Sequence, residues 1–213
     1  MAPVASCRAS MTAPCSFCCT CGASLALIDL ALEQVTDRAF ALTAERLAAD
    51  VLAAHQRHHA GKVDAVICVA GDFGMTGPLS EADPAAWTKQ FTINLETAFA
   101  TTRAFLPSER AARGSFVYFG SVAATPGGSP GGMAAYAAAK SGVLSLMRTV
   151  ALDEKAHGVR ANAVAPTAIR TASNVADMGD KTDYVERDSV ADVVAFLASP
   201  LARNVTGQVL TLA

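Results

Sequence analysis

The sequence predicts an α/β protein: a doubly wound parallel sheet with helices on both faces. Three observations predict it. Short apolar runs alternate with helix-length segments from residue 23 to residue 213, the pattern of βαβ units with right-handed crossovers. The runs are apolar throughout, as strands buried on both faces are. Hydrophobic residues make up 52% of the 213-residue chain and charged residues only 17%, so much of it must be interior.

The elements follow in order. Ser24 to Asp29 (SLALID) is a short apolar run ending in an acid, a strand, and Ala39 to Leu42 is a second brief one. Thr43 to His59 sets Leu47, Val51 and Leu52 on one helical face. Val63 to Ala70 is a buried strand closed by Gly71. Asp83-Pro84 opens a helix, with Asp as N-cap and Pro in the first turn, running to about Phe105. Ser115 to Ser121 is a strand, and Met133 to His157 a long helix stopped by Gly158. Val159 to Ala165 (strand), Asp188 to Ala198 (capped helix) and Gln208 to Leu212 (strand) complete the chain, with no repeat or linker.

Charge and hydropathy exclude some classes. A net charge of −2 lacks the basic excess of nucleic-acid binding. The apolar stretches are strand-sized and end at Gly, Asp or Pro, so none reads as a membrane span, and a cytoplasmic protein is expected. Residues 1–22 differ from the rest: Met1 to Ser24 holds five of the six cysteines and no acid. A zinc or redox site on Cys15, Cys18, Cys19 and Cys21 lacks a second ligand pair. An organelle-targeting peptide fits the Ser/Ala richness but has a single Arg. A disordered or non-native leader is the remaining reading, which leaves residues 23–213 as one domain. His55, His58 and His59 read as a solvated helix end, and no metal site is expected. Gly120-Ser121 lacks the turn of a serine hydrolase.

In parallel sheets ligands bind beyond the carboxyl ends of the strands, and four polar residues fall there or close by. Ser121 closes its strand. Tyr136 and Lys140 lie four apart on the next helix, on one face. Asn94 sits inside the earlier helix among Phe91, Ile93 and Leu95. Carbonyl reduction needs such a set. A positioned acid protonates the oxygen as hydride reaches the carbon, and a nearby ammonium lowers the pKa of a phenol toward neutrality. A Ser hydroxyl holds the substrate oxygen, and an Asn anchors water behind the Lys.

Tyr136-Ala-Ala-Ala-Lys140, with Ser121 and Asn94 upstream, resembles the active site of the short-chain dehydrogenase/reductase family. Asn162-Ala-Val-Ala-Pro166-Thr-Ala-Ile169-Arg-Thr171 is similar to the family segment that holds the nicotinamide carboxamide, and VADVVAFLASPLARNVTGQVLTLA to its last helix and strand. KVDAVICVAG looks more loosely like the dihydropteridine reductase branch. The resemblance implies a Rossmann-like fold, NAD (NADP not excluded) as cofactor, and a small carbonyl or alcohol substrate. The catalytic residues it implies are Asn94, Ser121, Tyr136 and Lys140. Cofactor contacts would come from Asp29, Ala70, Gly71, Tyr136, Lys140, Pro166, Ile169 and Thr171, with Asp29 at the adenosine ribose favouring NAD.

Departures are equally specific. The family's opening strand and T-G-x-x-x-G-x-G turn, which cradles pyrophosphate, has no counterpart. Ala23 to Asp29 resembles the second strand, so the central strand and its helix read as missing, with unpaired sheet edges and weak dinucleotide binding expected. Cys68-Val69-Ala70-Gly71 stands for the usual Asn-Asn-Ala-Gly. The Ser121–Tyr136 interval is longer than usual, through the Pro126–Gly132 loop. Gly71, Gly74 and Gly77 read as a loop near substrate, with Phe73, Met75 and Tyr184 as pocket candidates. The resemblance also implies a homodimer or homotetramer through the helices around Asn94 and Tyr136 (Ala134, Ala135, Ala138, Val143, Leu146, Met147). The alternative is a catalytically impaired relative acting as a binding or subunit protein.

Overall fold

The computed structural model describes the backbone of residues 25–28 and all of residues 63–213. The Cys-rich segment, Asp29, the Ala39–Leu42 strand and the Thr43–His59 helix lie outside the described residues.

Five parallel strands form the main sheet, in the order β1 (Leu25–Ile28), β2 (Ala65–Cys68), β3 (Ser115–Phe119), β4 (Arg160–Pro166) and β7 (Val209–Leu212). The strand read as missing is not seen among the described residues: Leu25–Ile28 pairs directly with Ala65–Cys68, in register Leu25 to Ala65.

Both faces are covered, and the strand alternation says why. Val66, Cys68, Phe116, Tyr118, Ala161 and Ala163 pack with α2 (Thr97–Ala112) and α3 (Ala134–Asp153) on one side. Ala65, Ile67, Val117, Phe119 and Val164 pack with Val190 and Leu197 of α5 (Arg187–Ala198) on the other. Neighbours along a strand point to opposite faces, so a run without polar residues supplies two cores. On α3 the face buried within the chain takes Ala135, Val143 and Met147, three of the residues expected between subunits. Ala134, Ala138 and Leu146 are the half-exposed remainder.

The expected single helix from Asp83 is broken. Asp83 does cap α1 (Pro84–Phe91), its Oδ1 accepting from Ala85 N at 2.9 Å. The turn Thr92–Glu96 then widens to π geometry before α2 begins. Such wide turns concentrate at functional sites. Helix α2 also runs past Phe105 through Pro107 to Ala112. The proline forfeits one backbone bond, but burial of Phe105, Ser108 and Glu109 carries the helix on. Its end is marked by Arg113 at φ 56°, a left-handed closing residue. Helix α5 starts one residue before Asp188, and no side chain caps it.

One unit was not expected from the sequence. Residues 168–185 form a two-stranded parallel pair, β5 (Ala168–Ile169) with β6 (Tyr184–Val185), bracketing α4 (Ala172–Met178). Among the described residues no helix is long and apolar enough to cross a membrane.

Candidate active site

The site lies where β2 and β3 end. Ser121 follows β3 in extended conformation, and its Oγ accepts from Ala123 N at 3.3 Å, capping a short turn. Tyr136 and Lys140 come from the first and second turns of α3. The Ser121 side chain bears on the Tyr136 phenol. The lengthened loop between them turns at Gly127 (φ 86°) and Gly132 (φ 72°). Lys140 is 5% exposed, and its Nζ donates to Phe119 O at 3.0 Å. Nζ also stands 5.9 Å from the centroid of the Tyr136 ring.

Asn94 reaches the same place from the π turn. It is 1% exposed, and both ends of its amide are engaged. Nδ2 donates to Asp72 O at 2.9 Å, Gln90 O at 3.1 Å and Gln90 Oε1 at 3.1 Å. Oδ1 accepts from Asp72 N at 3.3 Å. The side chain therefore pins the loop after β2, where the sequence suggested a water anchor. Gly71 closes the arrangement: a Cβ there would lie 2.5 Å from Asn94 Oδ1 and 3.0 Å from Lys140 Nζ.

The Gly71–Gly77 loop forms one wall. Phe73 stands edge-on to Tyr136, with centroids 5.1 Å apart at 81°. The backbone amides of Thr76 and Gly77 donate to Gly132 O at 2.8 and 3.0 Å. Met75 is exposed, with its tip against Gly132. Tyr184, a pocket candidate by sequence, is committed elsewhere. Its hydroxyl donates to Asn174 O and Gly179 O at 3.0 and 2.9 Å, and Arg170 lies over its ring at 4.8 Å.

The electrostatics differ from the simple expectation. Burial pushes the Tyr136 phenol above its ordinary value; the Ser121 side chain opposes this and the charge of Asp72 adds to it. Lys140 is itself lowered to about 8 by burial, because an ammonium loses hydration there. Lowering of the phenol by Lys140 is thus not found, and the phenol is protonated at neutral pH.

The remaining sequence-derived residues lie nearby or apart. Ala70 is half-buried against the core, and Pro166 ends β4. The Ile169 carbonyl accepts from Asn174 Nδ2 at 2.7 Å and Thr171 N at 2.8 Å, and Thr171 Oγ1 accepts from Asn174 N at 3.1 Å. Asp29 lies outside the described residues. Sequence reasoning missed Gln90. Its signal was present, since it precedes Asn94 by four residues and so shares its helical face.

Comparison with known proteins is informative. A family described as enoyl-(acyl carrier protein) reductase matches residues 18–212. The acetoacetyl-CoA reductase of Synechocystis sp. is 30% identical, over 89% of this chain and 84% of the relative. A short-chain dehydrogenase of Neurospora crassa is 30% identical over 69% of this chain and 64% of its own length. A solved short-chain type dehydrogenase/reductase from Mycobacterium ulcerans superposes with a TM-score of 0.72 at 28% identity, covering 79% of this chain and 65% of that one. The chain thus spans slightly less than two thirds of the last two. None of these relatives is named as a non-enzymatic binding protein.

Proposed function

The chain belongs to the short-chain dehydrogenase/reductase family, and on that premise we propose that it interconverts a carbonyl and an alcohol on a small molecule with Tyr136 as the proton donor. The observation that carries this reading is the convergence of Ser121, Tyr136 and Lys140 at the carboxyl end of β3, where the Lys140 ammonium donates to Phe119 O and stands 5.9 Å from the centroid of the Tyr136 ring.

A bound nicotinamide cofactor would supply or accept the hydride. The donor set suits it: Lys140 uses one of its three N–H donors on Phe119 O, which leaves two for ribose hydroxyls. Gly71 is exposed and bare above Nζ, so a flat ring can approach. By the family resemblance Pro166, Ile169 and Thr171 would hold the nicotinamide carboxamide, Ala70 would contact the cofactor, and Asp29 would bind the adenosine ribose and favour NAD over NADP.

The protein's own part is to place and move a proton. A carbonyl oxygen seated between the Ser121 and Tyr136 hydroxyls accepts hydrogen bonds from both. As charge develops on that oxygen, the phenol, protonated at neutral pH, donates to it. Lys140 stabilises the phenolate left behind, and Asn94 holds the loop that shuts water from Lys140. Phe73 gives the substrate an apolar wall. Titration with NADH and NADPH, then turnover of a panel of carbonyls followed by nicotinamide absorbance, tests the reading. Tyr136→Phe should abolish turnover while cofactor binding persists. Retention of more than about a tenth of kcat would overturn it, since general acid catalysis contributes about 10²–10⁴-fold.

A further inference from the structure

Gln90 occupies the last turn of α1 and is 4% exposed. A buried amide needs partners at both ends or it costs stability. Its Oε1 accepts from Asn94 Nδ2 at 3.1 Å, which fixes the direction of the amide. Nε2 is thereby turned to Gly74, where a Cβ would lie only 2.5 Å from it. Gln90 therefore bears twice on the loop after β2: through Asn94, which grips the N–H and C=O of Asp72, and directly at Gly74. Both contacts fall within three residues after Gly71, where a Cβ would lie 3.0 Å from Lys140 Nζ.

We propose that Gln90 is a positioning residue: its Oε1 locks the plane of the Asn94 amide, Asn94 pins the Asp72 peptide, and the pinned loop holds Gly71 over the Lys140 ammonium and keeps water from it. The inference rests on Lys140 being part of the proposed reductase site, but its test needs neither substrate nor cofactor. The surroundings of Nζ make the loop decisive. Tyr136 faces it from the same helix, β3 presents the neutral Phe119 carbonyl, and the π turn presents the neutral Asn94 amide. Asp72, on the loop itself, bears on Tyr136. Desolvation lowers Lys140 to about 8, so loss of the cover the loop gives Nζ should move it back toward the ordinary lysine value.

The experiment compares the full chain with Gln90→Met, which fills the space without an acceptor, and Gln90→Glu, which restores one. Trace labelling with acetic anhydride across pH, read by peptide mass spectrometry, gives the titration of Lys140 with exposed Lys89 and Lys155 as internal standards. Amide hydrogen exchange reports the Asp72 N–H directly. In Gln90→Met the Lys140 titration should rise by about one unit or more, and the loop should exchange roughly tenfold faster. In Gln90→Glu the exchange should stay within about threefold of the parent. A filler role for Gln90 lowers the melting temperature and leaves the Lys140 titration in place, and that result overturns the proposal. If Gln90→Met does not fold, the Glu variant decides: exchange faster than that limit refutes the lock, and protected exchange supports it. Failure of the reductase reading would show instead as absent turnover with the Lys140 shift intact.

Discussion

Replacing Glu109 with Gln should stabilise the protein at alkaline pH and do little in acid. Glu109 lies on α2 with no exposed surface. Neither carboxylate oxygen has a hydrogen-bond partner among the described residues. Gly114 packs directly against one of them, so a side chain at 114 has no room. Burial raises the carboxyl from 4.5 to about 8; Asp64 adds to the rise, and the Ser115 backbone N–H, which donates to Asp64 O at 3.1 Å, and Arg160 oppose it. A folded pKa above the unfolded one means that the native state holds the proton longer. The cost of Glu109 is therefore absent below about 4.5, grows with pH, and is complete above about 8. At ~1.4 kcal/mol per pKa unit the ceiling is roughly 4–5 kcal/mol. Local relaxation and water entry reduce it, and a gain of about 2 kcal/mol or more for Glu109→Gln near pH 9 is expected. Urea unfolding of both proteins across about pH 5 to 9 measures this. Curves that stay parallel across that range would refute the account of Glu109 as an uncompensated buried carboxyl.

Gly71→Ala inserts a methyl 2.5 Å from Asn94 Oδ1; overpacking of that kind costs about 1–3 kcal/mol, and turnover should fall with the melting temperature, so an unchanged Ala variant would contradict the packing described. Asp29→Ala should improve the use of NADPH relative to NADH by about tenfold, the worth of one charge-assisted hydrogen bond, and an unaltered ratio of kcat/KM values would remove Asp29 from the site. Glu154 is held below its ordinary value by hydrogen bonds from Arg110 at 2.6 Å; its stabilisation is present above the unfolded pKa and lost as pH falls through the folded one, so Glu154→Gln should lower the melting temperature at neutral pH and not in strong acid. Light scattering at micromolar concentration should show a dimer or tetramer, and a monomer would count against pairing through the outer faces of α1 to α3.

Much of the fold was legible because its signals are local. The runs of Val63–Ala70, Ser115–Ser121 and Val159–Ala165 are short, apolar and punctuated, and each became a strand of the parallel sheet. Asp83 announced its helix, whereas α3 ends at Asp153, short of the expected His157, and Gly158, at φ 76°, closes a separate 3₁₀ turn at Lys155–His157. Tyr136 and Lys140 shared a face by helical period alone. Their dependence on Gly71, Asn94 and Gln90 was not legible, because it arises between elements far apart in the chain. Nothing in residues 84–105 shows that the helix widens at Thr92–Glu96; that turn follows from docking Asn94 against the Asp72 peptide. Residues 168–185 carry too few apolar positions for a periodic signal, and their contacts, such as Arg170 with Asp180 and Glu186, join residues ten and sixteen apart. The pKa values of Tyr136, Lys140 and Glu109 were likewise decided only in three dimensions. Periodicity records which way a side chain points, whereas desolvation depends on everything packed around it, and the residues that bury these three come from separate strands, turns and helices.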